Sequence, residues 1–125
     1  MLLHEELSNN IIAAFYEVYN TLGYGFLEKV YENALLHEFS SRSINAVNQF
    51  PIEVFYDKVK VGQYFADVLV DGKIIIEIKA ADAIAQEHEL QLINYLKATN
   101  IEVGLLLNFG KKPEFRRKIF TNDRK

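Results

Sequence analysis

The stretch that most constrains this chain is Ile74-Ile75-Ile76-Glu77-Ile78-Lys79, an oily run that ends with an acid and a base two residues apart. β-Branched residues at this density favour a strand. Alternate residues of a strand share a face, so Glu77 and Lys79 point one way while Ile74, Ile76 and Ile78 point the other. Burying an unpaired charge is costly. The two side chains must therefore pair, meet a metal, or sit in water at the end of the sheet. Asp67 is a second lone carboxylate, set among Phe65, Ala66, Val68, Leu69 and Val70. Two carboxylates from adjacent strands form a natural oxygen site for Mg²⁺ or Mn²⁺, which are hard cations. A lysine beside them can orient a water or offset charge on a phosphoryl transition state.

Register decides whether these groups meet. Asp71-Gly72 between the two runs is a hairpin signal. A two-residue turn there would place Asp67 opposite Ile76, on the wrong face from Glu77. A shared site needs an odd-length loop or a bulge, and the sequence predicts a three-residue turn or a bulge here.

Around this pair the chain alternates between two periodicities. Residues 4–22 carry Leu7, Ile11, Ala14, Phe15, Val18 and Leu22 at helical spacing. Gly23 and Gly25 break that pattern, and a second helix is predicted from Leu27 to Ser41. Residues 44–56, 59–70 and 73–79 read as strands, with Pro51 marking an edge or a bend. Helical spacing returns over residues 84–98, and Val103–Leu107 is a short continuous apolar run suited to a buried strand. A strand–helix–strand order favours a parallel crossover. The expected fold class is α/β with a mixed sheet, in the order α-α-β-β-β-α-β, as a single domain over residues 1–125.

The chain has no cysteine, which excludes a disulfide framework and a thiolate metal site. No apolar run reaches the length of a membrane span. Met-Leu-Leu-His-Glu-Glu lacks the basic and apolar regions of a signal peptide, so a cytoplasmic location and no membrane partner are expected. Net charge is −3, unevenly spread. Residues 111–125 hold seven basic side chains against Glu114 and Asp123, a balance of +5, so residues 1–110 sum to −8. Such an acidic body suits cations better than phosphates. The basic end reads as a solvated tail or as a phosphate contact.

Asp67, nine intervening residues and then Glu77-Ile78-Lys79 resemble the D…ExK core of the PD-(D/E)XK nuclease-like superfamily, whose fold is restriction-endonuclease-like. Gly25-Phe26-Leu27-Glu28-Lys29-Val30-Tyr31 is similar to the signature of the GxxExxY protein family, assigned to that superfamily. Gln91–Lys97 and Val103–Gly110 resemble that family's later blocks. The resemblance implies that Asp67 and Glu77 are metal carboxylates, helped by Glu28 from its helix. It implies that Lys79 is the catalytic lysine, that Glu28 and Gln91 join it at the reacting centre, and that Mg²⁺ or Mn²⁺ is the cofactor. Phe65 stands where an arginine is frequent in the family, and Leu90 where a small residue is usual.

Each residue also has a plainer reading. Glu77 and Lys79 can form a structural ion pair. Glu28 suits the first turn of a helix through the dipole alone. Tyr31 faces the same way as Glu28 and either reaches a site carboxylate or packs in the core. His88, Gln91 and Tyr95 form a stripe on the third helix, where His88 is a surface group, a general base or a phosphate ligand. The resemblance implies a metal-dependent nuclease hydrolysing phosphodiester bonds of nucleic acid. The rivals are a non-catalytic nucleic-acid or protein-binding module on a nuclease fold, and an accessory protein acting as a homo-oligomer.

Overall fold

A computed structural model describes residues 2–125. Helices α1 (Glu5–Leu22) and α2 (Glu28–Ser41) precede strands β1 (Ala46–Tyr56), β2 (Val59–Val70) and β3 (Ile74–Lys79). Helix α3 (Gln86–Ala98), strands β4 (Val103–Phe109) and β5 (Pro113–Ile119) and a 3₁₀ turn at Asn122–Arg124 complete the chain. The fold is mixed α/β. One sheet has the order β1-β2-β3-β4-β5, antiparallel throughout except for the parallel pair β3–β4, which α3 connects.

The sheet is covered on both faces. Ile11, Phe15 and Val18 of α1 and Leu35 and Phe39 of α2 pack on Val68, Val70, Ile74, Ile76 and Ile78. Leu92, Tyr95 and Leu96 of α3 pack on Leu69, Ile75 and Leu106. β3 and β4 are buried on both sides, and this is why they read as unbroken apolar runs rather than alternating ones. Pro51 lies on β1, an edge strand, where a missing N–H costs no ladder bond to a further strand.

The hairpin between β2 and β3 is a three-residue turn, because Val70 pairs with Ile74. Asp71 and Gly72 take left-handed backbone angles, and the Lys73 N–H donates to the Val70 carbonyl. Glycine supplies that conformation without strain. The odd count puts Asp67 across from Glu77, as the shared-site argument required.

The end of the chain corrects the reading of a solvated tail. Residues 113–119 form the edge strand β5, paired with β4. Charges here have local partners: Lys118 Nζ of β5 lies 2.7 Å from Glu89, and beyond the strand Lys125 Nζ donates to the carbonyls of Thr99 and Ile101 at 2.9 and 2.8 Å. Polar residues on one side of an edge strand mimic a loop in sequence, since only the other side has a sheet to cover.

Candidate active site

The alternation of β2 breaks at Asp67. Val68 and Val70 face α1 and α2, yet Ala66 packs with Leu69 on the α3 side. The cause lies across the ribbon. Gln49 of β1 stands between the pairs Asn48–Val68 and Phe50–Ala66 with φ of 54°. A left-handed residue in mid-strand turns the chain over, and the paired strand turns with it. Beyond this point the β1–β2 ribbon shows its other face to α3.

The β2–β3 ladder stops at the same place, with Val68 and Ile76 as its last pair. Side chains replace the missing backbone bonds. The Asp67 N–H donates to Glu77 Oε2 at 2.8 Å, and the Ile78 N–H donates to Asp67 Oδ2 at 2.7 Å. The two carboxylates thus satisfy backbone donors exposed by strand separation. Each keeps its second oxygen outside this exchange.

The electrostatics are unfavourable to two charges. Burial pushes the Glu77 carboxyl up to about 8, with the Asp67 charge as the next cause. Burial also raises Asp67, partly offset by the Ile78 N–H; Glu32, Lys79 and Glu28 act more weakly. Lys79 follows Glu77 on the same face of β3, half-buried, and among the described residues it enters no ion pair. The structural ion pair between Glu77 and Lys79 is therefore absent.

The donor chemistry suits a hard divalent cation: two carboxylate side chains bonded to each other's strand, without nitrogen or sulfur ligands. Mg²⁺ commonly takes one or two carboxylates and keeps waters and substrate oxygens for the rest. Among the described residues no three acidic or histidine side chains gather closely enough to form a complete cage. The fit is to a site finished by water and substrate.

The other sequence candidates fall around this centre at different ranges. Glu28 opens α2, exposed to solvent. Gln91 lines a groove beside α3 together with Tyr95. Tyr95 lies close enough to Glu77 and Asp67 that their charges, after burial, help raise its phenol to about 12. Tyr31 belongs to the core. It stacks on Phe109 with ring centroids 4.2 Å apart, and its hydroxyl donates to the Gly23 carbonyl at 2.8 Å. His88 Nδ1 accepts the Ala85 N–H at 3.2 Å, so that histidine stabilises the start of α3.

Two residues near the centre were not singled out from sequence. Glu32 is buried and accepts from Lys29 at 2.8 Å and from Gln49 at 3.0 Å, and it acts on Asp67 more strongly than Glu28 does. Its place one turn after Glu28, among the apolar residues of α2, was the available signal. Asn108 is fully buried on β4 beside Lys79. Its amide donates to the Ala81 carbonyl at 3.0 Å and accepts the Ala81 N–H at 2.9 Å. This reciprocal bond fixes the chain just after Lys79. Gly110 completes the clamp, because a Cβ there would lie 2.3 Å from the Ala81 carbonyl oxygen.

Comparison with known proteins agrees with the fold. A family model described as the PD-(D/E)XK nuclease superfamily matches residues 5–118. No curated protein matches the chain significantly. The crystal structure of SSO0001 has a TM-score of 0.60 and 21% identity, with 97% of this chain and 61% of that one covered. At that identity the likeness is one of fold, and the chain spans about three fifths of that protein's length.

Proposed function

The chain belongs to the PD-(D/E)XK nuclease superfamily, and on that premise we propose that it is a metal-dependent nuclease hydrolysing phosphodiester bonds of nucleic acid. The observation that carries the proposal is the reciprocal bonding of Asp67 and Glu77 where β2 leaves β3, with Lys79 next on the same face. A structural need for two such carboxylates is weak, since continued backbone pairing would satisfy the same N–H groups without burying charge.

In this reading Asp67 and Glu77 would hold Mg²⁺ or Mn²⁺, which would supply Lewis acidity toward a phosphate oxygen and lower the pKa of a water. Lys79 positions the attacking water or offsets charge on the pentavalent phosphate. Asn108 and Gly110 hold Lys79 at its post through Ala81. Gln91 contacts substrate from α3. Glu28, at the start of α2, adds a further carboxylate to the metal shell, while Glu32 tethers Gln49 at the point where the ribbon turns over. The whole of residues 1–125 acts as one domain, working in a soluble compartment such as the cytoplasm. Among the described residues no helix is long and apolar enough to cross a membrane.

Calorimetric titration with Mg²⁺ and Mn²⁺ tests the site, wild type against Asp67→Asn and Glu77→Gln, with a mixed nucleic-acid cleavage assay on the same samples. Binding lost in both variants, and metal-dependent cleavage lost in Lys79→Ala, is the expected result. A folded wild type that binds no metal even with nucleic acid present would overturn the reading in favour of a non-catalytic module.

A further inference from the structure

A groove of about 720 Å³ runs between α3 and the outer part of the β1–β2 ribbon, a volume typical of small-molecule sites. It starts at Tyr95, which packs in one cluster with Ala66, the neighbour of Asp67, and Tyr64, Leu90 and Phe55 line it further. Tyr64 and Tyr95 are tilted neighbours, with ring centroids 5.7 Å apart. Tyr64, Phe55 and Leu90 are each about half exposed. Isolated exposed apolar residues are ordinary, but a continuous patch lining a concave surface marks a binding region.

The lining of the groove narrows the occupant. Glu53 and Glu87 line it with Lys97 among aromatic and amide side chains. A nucleic-acid duplex keeps its bases paired and stacked inside, so it would leave the rings unused. A single strand differs, because its unpaired bases offer π faces to aromatic rings and amino groups to carboxylates. The amides of Gln91 and Asn94, also in the lining, can both donate and accept at base edges. Lys97 suits a backbone phosphate.

We infer that this groove takes single-stranded nucleic acid, its bases laid against Tyr64, Phe55 and Leu90, and that it guides the strand to the carboxylates. The inference rests on the nuclease reading above and deepens it to a substrate class. The turn-over of the ribbon at Gln49 is then what brings the aromatic face to α3.

The test measures binding apart from cleavage. Fluorescence anisotropy of a labelled mixed-sequence single-stranded oligonucleotide and of its blunt duplex is read in EDTA, and cleavage of both is read in Mg²⁺. Single-strand binding at least about tenfold tighter than duplex binding is expected. Tyr64→Ala and Phe55→Ala should each weaken it by about five- to a hundredfold, the range for losing one stacked base. Tyr64→Phe should restore it. Both positions are at the surface, and far-UV circular dichroism verifies folding. Equal or tighter duplex binding, no binding of either, or binding indifferent to Tyr64→Ala would overturn the inference. So would a dimer that occupies the groove and is lost in Tyr64→Ala. Single-strand binding without cleavage sinks the nuclease reading and leaves the groove standing. Duplex cleavage indifferent to the groove variants does the reverse.

Discussion

The two halves of β2 share a strand and a partner but little else. The inner half, Val68–Val70, lies between β1 and β3 and is buried. The outer half, Val59–Phe65, has only β1 beside it and leaves Val59 and Val61 about 60% exposed. Buried packing resides in the first and exposed surface in the second. Asp67 stands at the boundary, where the sheet parts and backbone donors become available to carboxylates. A site built there draws rigidity from one side and access from the other.

The comparison makes graded predictions. Ile76→Ala, in the inner region, should destabilise by about 2–5 kcal/mol, read as a drop in the urea midpoint. An effect as small as that of an outer-ribbon change would break the contrast. Next is the boundary itself. The folded value of Glu77, about 8, lies above its ordinary 4.5, so folding favours the protonated form. Its stabilising contribution is whole below about pH 4.5 and is lost as pH rises to about 8. Glu77→Gln should therefore flatten the decline in stability over that window and leave the protein more stable than wild type at pH 8, on the order of a few kcal/mol. Mg²⁺ should raise the wild-type melting temperature at pH 8 and leave that of Glu77→Gln unmoved.

Smaller effects follow. Gly110→Ala forces a methyl against the Ala81 carbonyl and should cost about 1–3 kcal/mol. Because Ala81 follows Lys79 closely, it should also lower cleavage more than Asn100→Ala, a surface change of no such consequence. At the weak end, Val61→Ala should stay within about 0.5 kcal/mol. A large loss there would show that the outer ribbon carries stability after all.

Much of the fold could be read from residue order. Helical spacing marked α1 to within a residue, and the unbroken apolar runs marked β3 and β4. The odd turn at Asp71–Lys73 followed from requiring two carboxylates on one face, a constraint that a three-residue loop satisfies. Strand β5 was missed because Arg116, Arg117 and Lys118 disguise an edge strand as a tail. In the site, Asp67, Glu77 and Lys79 stood out as charges in oily surroundings. Asn108 did not, since a single amide in Leu-Leu-Leu-Asn-Phe declares neither its partner nor its burial.

By itself the sequence determined the element order as far as β4, the buried centre of the sheet and the facing of Glu77 with Lys79, because periodicity is a local property of the chain. Tertiary structure alone decided that Gln49 turns the ribbon over, that Ala66 and Val68 part company, and that Glu32 rather than Glu28 is the buried acid of α2. It also decided that Tyr31 serves the core and His88 the start of a helix. These outcomes depend on which distant segment fills the opposite side of a residue, and no local pattern records that.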